Sequence, residues 1–262
     1  MRAPRRLEGS LDQIQPKLRR NLRHSVLAIR VSLCYDSHLR AALQVLQGAL
    51  FSIREIAAMP SAIRALFLDV GGVMLSNGWD SKVRRALADH FHLDLPDFEA
   101  RHHLTFDTYE SGKISFDVFL ERTVFYKPRD FSPADFKKYV SDLTKPFPEM
   151  LDLFAKLKAK HNLKIAVVSN EGRELTFDRV AKFNLKAFVD FFIVSSFVHL
   201  RKPDTDIYRL ALDVAMLEPH QVAYIDDRDM LVEVASKMGI VGIQHIAYDS
   251  TKARLAELGL PL

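Results

Sequence analysis

Residues 63–75 read IRALFLDVGGVML, an apolar run that stops at one aspartate, Asp69, and turns at once on Gly71 and Gly72. A short apolar run closed by turn residues is the pattern of a strand buried on both faces. Comparable runs recur at 164–170 (KIAVVSN), 190–196 (DFFIVSS), 221–227 (QVAYIDD) and 241–246 (VGIQHI), separated by segments of helical length. Such alternation predicts right-handed βαβ units, hence an α/β fold with a Rossmann-like parallel sheet covered by helices on both sides. Ligands of such sheets bind beyond the carboxyl ends of the strands, so the polar residues closing each run are the ones to read.

Those residues are Asp69 after the first run, Ser169 and Asn170 after the second, and Asp226 with Asp227 after the fourth; Lys202 follows the third in HLRKPDTDIY. Four segments thus bring a carboxylate, a hydroxyl, an amine and an acidic pair to one edge. The glycines after Asp69 let the backbone fold its amides toward an anion. A carboxylate facing phosphate needs cations between them. Lys202 is one, and Mg²⁺ recruited by the acidic residues is the other. Asp69 can then attack phosphorus while both cations neutralise the developing charge.

Between the first two runs lies an insertion, 77–144, with apolar positions at helical spacing: Val83, Leu87 and Phe91, then Phe116, Phe119 and Leu120. Ser115 and Ser132 stand at N-cap positions. The expected division is a core of 63–76 and 145–262 with an inserted helical cap domain, 77–144, over the pocket, able to exclude water and choose substrates. His90, His92, His102 and His103 complete no ligand spacing and are read as surface or packed residues. Trp79 is read as hinge or core packing, and YESGKIS (109–115) as a turn facing the site.

The 262-residue chain, 48% hydrophobic, is long enough for a sizeable core. Its net charge of +4 tempts a nucleic-acid reading, but the excess sits in the leader. Residues 1–58 hold ten Lys and Arg against four acids, and the remainder holds 27 against 29. No nucleic-acid partner is expected. No 18-residue apolar run free of charge appears, so no membrane span is expected either. The single cysteine, Cys34, excludes an intrachain disulfide and suits a reducing compartment. A cytoplasmic location follows, with organelle targeting by residues 1–58 as the alternative. The basic leader, 1–62, has three open readings: a dispensable extension ahead of Met59, a targeting segment, or an accessory helix pair.

The motifs FLDVGGVML, VVSN, RKP and YIDDRDM resemble, in order, the four motifs of the haloacid dehalogenase-like (HAD) superfamily, and the insertion falls where its first subfamily carries a helical cap. The resemblance implies the HAD fold, a hydrolase, and Asp69 as a nucleophile forming an aspartyl intermediate. Lys202 would tie phosphate to Asp69 as a second catalytic residue. Phosphate would be held by Gly72, by Ser169 with the Asn170 backbone, and by Lys202. Mg²⁺ would be held by Asp69, the Gly71 carbonyl and Asp227, with Asp226 as an auxiliary. The substrate implied is a small phosphorylated metabolite, such as a sugar phosphate.

The sequence departs from the pattern at two places. Gly71 stands where most phosphatases of the superfamily carry a second Asp as general acid and base, a role worth about 10²–10⁴ in rate. Some members acting on sugar 1-phosphates also have Gly there. Leu231 replaces an Asp or Asn that often follows the fourth motif. Besides the Mg²⁺-dependent phosphatase, two readings stay open: a catalytically weak phosphate-binding regulatory protein, and a metal-independent dehalogenase. The acidic pair of IDD favours the phosphatase.

Overall fold

The computed structural model of the chain describes residues 63–262, so the readings of the leader, 1–62, lie outside the described residues. Five parallel strands form one sheet in the order β3-β2-β1-β4-β5. They are β1 (Ala65–Leu68), β2 (Lys164–Ser169), β3 (Phe191–Val194), β4 (Val222–Asp226) and β5 (Val241–Gln244). The first apolar run is therefore the central strand. Its side chains alternate between two cores, as a period of two dictates. Leu66 and Leu68 pack with α5 (Pro148–His161) and α10 (Tyr248–Glu257), whereas Ala65 and Phe67 pack with α8 (Thr205–Ala215) and α9 (Asp229–Lys237). All four β1 residues are buried, which is why the run reads as continuously apolar.

Four helices lie between β1 and α5: α1 (Ser81–His90), α2 (Leu95–Glu110), α3 (Phe116–Thr123) and α4 (Pro133–Leu143). They close around their own aromatic cluster, with Trp79, Phe98, Tyr109, Phe116, Phe119 and Phe136 buried. Each helix starts on a side-chain cap: Asp80, Asp94, Ser115 and Ser132, the last in a reciprocal capping box with Asp135. The remaining helices are α6 (Arg173–Lys182), following β2, and the short α7 (Ser195–Val198), following β3. Among the described residues no helix is long and apolar enough to cross a membrane.

The register fixes the site. Leu68 pairs with Val167 on β2 and with Ile225 on β4, so the residues that follow all three strands emerge side by side. The chain runs from β1 outward to β3, then crosses back to β4. That reversal of direction beside β1 opens the crevice in which such sheets bind ligands.

Candidate active site

Asp69 leaves β1 with its amide still bonded to the Ile225 carbonyl, 2.9 Å away, so the carboxylate is aimed by the sheet itself. Its Oδ1 accepts from Lys202 Nζ at 2.9 Å. The same ammonium donates to Asp226 Oδ2 at 2.7 Å and to the Tyr224 hydroxyl at 3.0 Å. The Lys202 side chain is only 2% exposed and Asp226 is fully buried, so this is an interior charge triad. Asn170 fixes the lysine's backbone from both ends, its Oδ1 accepting from Lys202 N and its Nδ2 donating to Lys202 O, each at 2.8 Å.

Burial would push Lys202 down, but Asp69 and Asp226 outweigh it and hold the ammonium protonated. Burial also pushes the Asp69 carboxyl above its ordinary value, more strongly than Lys202 draws it down. For Asp226 the upward push of burial loses to Lys202, the Tyr224 hydroxyl and the Arg228 amide, so that carboxyl stays low. Asp227 is raised, first by burial and then by repulsion from Asp69 and Asp226.

Asp69, Asp226 and Asp227 each offer a carboxylate oxygen within 4.8 Å of the others. Asp227 Oδ1 is buried without a hydrogen-bond partner among the described residues. An orphaned anionic oxygen between two further carboxylates has the composition and charge that a hard divalent cation requires. Both Asp226 oxygens are already engaged, Oδ2 by Lys202 and Oδ1 by the Arg228 amide at 2.9 Å, so Asp227 is the better provided ligand of the pair.

The pocket is a cavity of about 360 Å³ lined by Asp69, Gly71, Ser169, Asn170 and Lys202, and from the helical insertion by Asn77, Trp79, Arg84, Phe106 and Glu110. Ser169 is buried and lines the same pocket. One expected phosphate contact, at Gly72, is placed differently. Gly72 adopts φ +76, and its amide donates to the Leu75 carbonyl at 2.7 Å, which removes it from the donors free for an anion. Its lack of a side chain serves Asp227 instead, since a Cβ there would lie 2.3 Å from Asp227 Oδ2. Asn170 spends its side chain on Lys202, leaving only its backbone for the expected role.

One feature escaped the sequence reading. Glu171 and Arg179 form a buried ion pair along the pocket wall, and Arg179 also donates to the Ser76 carbonyl at 3.0 Å. Glu110, within YESGKIS, reaches the pocket in an ion pair with Arg201. Of that stretch, Glu110 is the residue that lines the pocket. Trp79 also lines the pocket, while His102 is buried behind it and accepts its indole N–H at 3.1 Å.

Comparison with known proteins places this geometry. The family model described as haloacid dehalogenase-like hydrolase matches residues 105–244, over half of the chain. The chain is 26% identical over 112 residues to a Thermotoga maritima protein named phosphorylated carbohydrates phosphatase, covering 43% of this chain and 51% of the relative. It spans about half the length of that curated relative. Among solved structures, a predicted HAD-like family hydrolase of Porphyromonas gingivalis superposes with a TM-score of 0.62 at 18% identity, covering 75% of this chain and 98% of that one. A HAD family enzyme of Bacteroides thetaiotaomicron, crystallised with magnesium and inorganic phosphate, superposes with a TM-score of 0.59 at 20% identity over 70% of this chain and 93% of that one. At these identities the superpositions speak for the fold. The family match adds the chemistry class, and the chain belongs to the haloacid dehalogenase-like hydrolases.

Proposed function

We propose that the chain is a Mg²⁺-dependent phosphatase of a small phosphomonoester, a phosphorylated carbohydrate being the class favoured by the Thermotoga relative's name. The observation that carries this reading is the cluster of Asp69, Asp226 and Asp227 with one buried, unpartnered carboxylate oxygen. A metal-free dehalogenase would have no use for that oxygen. Magnesium held by Asp69, the Gly71 carbonyl and Asp227, with Asp226 as an auxiliary, would offset the negative charge on the phosphoryl group.

In this reading the free oxygen of Asp69 attacks phosphorus, an aspartyl-phosphate forms, and the bond to the leaving oxygen breaks. Lys202 keeps Asp69 oriented and neutralises charge on the transferring group. Water then attacks the aspartyl-phosphate, releasing inorganic phosphate and restoring the Asp69 carboxylate. Gly71 gives the leaving oxygen no proton, so that proton comes from water. The helical insertion, 77–144, serves as the cap on a core of 63–76 and 145–262, its Trp79, Phe106 and Glu110 contacting the part of the substrate that does not react. The setting is cytoplasmic, and neither nucleic acid nor membrane takes part.

A second reading rests on Gly71: a protein that binds phosphate on this site and turns it over negligibly. One experiment separates the two. Phosphate release by the full chain is measured over sugar, nucleotide and aryl phosphates, with Mg²⁺ or chelator, beside Asp69→Asn. The phosphatase reading expects release that needs both metal and Asp69. It also expects a steep preference for good leaving groups, because an absent general acid costs about 10²–10⁴ in rate where the leaving oxygen is basic. Phosphate binding with no release from any substrate would leave the binding protein.

A further inference from the structure

Glu110 closes α2, and its side chain is buried yet lines the cavity. The backbone there is pinned to the segment after β3. Ser195 Oγ donates to the Glu110 carbonyl at 2.6 Å. Gly112, at φ +72, passes so close to the Ser196 carbonyl that a side chain at 112 would collide with it. Among the described residues the Glu110 carboxylate has one hydrogen-bond partner, Arg201, whose Nε donates to Oε2 while its Nη1 pairs with Asp107 at 2.9 Å. That leaves Oε1 for whatever the cavity holds. The residue after Arg201 is Lys202, which bonds Asp69, so two neighbours in sequence hold the reacting carboxylate and a second one in a common frame.

A carboxylate oxygen beside a guanidinium accepts hydrogen bonds and donates none, so it takes an O–H and repels a second anion. The lining cations offer such an anion little. Arg84, Arg179 and Arg201 are already paired with Glu99, Glu171 and Glu110, and Arg228 is exposed. The same cavity is lined by Phe106 and by Trp79, whose indole N–H is spent on His102, so both rings offer apolar faces. A hydroxylated edge and an apolar face are the two surfaces of a sugar ring. We propose that Glu110, held by Arg201, is a specificity-determining residue that accepts a hydrogen bond from a hydroxyl on the non-reacting part of the phosphomonoester. The cavity then takes neutral polyol phosphates and turns away those carrying a second anionic group. The proposal rests on the phosphatase reading of the site.

The test is inhibition of aryl phosphate release by the full chain with Mg²⁺. The inhibitors are inorganic phosphate, hexose and pentose phosphates, the monodeoxy analogues of the tightest of these, and the matching sugar acid phosphate. Inhibition constants report affinity whatever the basicity of the leaving oxygen. Wild type should bind the sugar phosphate about 10–100-fold more tightly than one monodeoxy analogue, the range of a hydrogen bond to a charged group. It should also prefer the sugar phosphate to the sugar acid phosphate. In Glu110→Gln the amide turns its oxygen to Arg201 and its NH₂ to the cavity, so the deoxy ratio should fall by about tenfold or more and the sugar acid phosphate should gain. A merely structural role would weaken every inhibitor together, inorganic phosphate included, and leave the ratios alone. Unchanged ratios in Glu110→Gln would overturn the proposal and leave the phosphatase reading standing. So would wild type that ignores every deoxygenation or favours the sugar acid phosphate, a comparison that needs no variant to fold. No aryl phosphate release by wild type would overturn both.

Discussion

Lys202 shows how a buried charge is held by its neighbours. Its ammonium lies between Asp69 and Asp226 with 2% of the side chain exposed. Removing one partner of a buried ion pair costs about 3–5 kcal/mol, because the remaining charge stays in the interior uncompensated. Lys202→Met should therefore lower Tm by roughly 10 °C, and adding Asp226→Asn should recover much of that loss by removing the stranded carboxylate. Phosphate release should stay absent in both, since neither variant restores the contact to Asp69. Melting curves paired with release assays check this, and full stability in Lys202→Met would show that the triad is not an interior charge cluster. Asp69, Ser169, Asp226 and Asp227 were legible in the sequence because each stands at or just beyond a strand end, where a parallel sheet must present it, whereas Lys202 lies in the loop beyond α7, eight residues past β3. The bond from Arg179 to the Ser76 carbonyl was not legible. Those residues are 103 apart in sequence, and no local period encodes such a pairing. Gly72 misled because a glycine after a strand looks the same whether it frees an amide for an anion or makes room for a carboxylate.

Within the insertion, α2 carries a sensor of its own packing. The Trp79 indole N–H donates to His102 Nδ1, which requires a neutral ring with its proton on Nε2. Burial, and then the nearby Arg84, push His102 down to about 4 from an ordinary 6.5. A depressed histidine binds fewer protons in the folded than in the unfolded chain between those values, so its contribution to stability is complete above pH 6.5 and falls away as pH drops toward 4. Trp79 is the chain's single tryptophan, so its fluorescence reports on this contact directly. The emission should titrate with a midpoint near pH 4, and His102→Asn should abolish that transition and flatten the fall in Tm between pH 6.5 and 4. A midpoint near 6.5 would mean that the ring is solvated. The helices themselves were legible through their caps and apolar spacing. The Trp79–His102 bond was not, because an aromatic residue ahead of one helix and a histidine inside another meet only when the bundle closes.

For the whole molecule, the question is how the insertion is held over the sheet edge. The chain enters it through 76–78 and returns through 144–146, and these crossings are bonded to each other by Ser76 N to Lys145 O at 2.8 Å and Lys145 N to Ser76 Oγ at 3.0 Å. Arg179, from the core helix α6, ties them down by donating to the Ser76 carbonyl at 3.0 Å while Glu171 neutralises it in the interior. On the far side, α2 rests on the segment after β3, with Ser195 Oγ donating to the Glu110 carbonyl at 2.6 Å and Arg201 paired to Glu110 and Asp107. The crossings are the only covalent route between the insertion and the sheet, so any opening of the insertion would turn on them, and Arg179 would oppose it from inside the pocket wall. Arg179→Ala together with Glu171→Gln, which leaves no stranded buried carboxylate, should keep Asp69, Lys202 and the acidic pair in place yet free the hinge. Limited proteolysis should then cut near 76–78 and 144–146 where wild type resists. If the insertion contacts the non-reacting part of the substrate, as proposed, KM for a phosphorylated carbohydrate should rise about tenfold with a smaller change in kcat. A drop confined to kcat would mean that the Glu171–Arg179 pair acts on the reacting groups. Unchanged proteolysis and KM would move the control of closure to the Glu110–Arg201 contact on the opposite side.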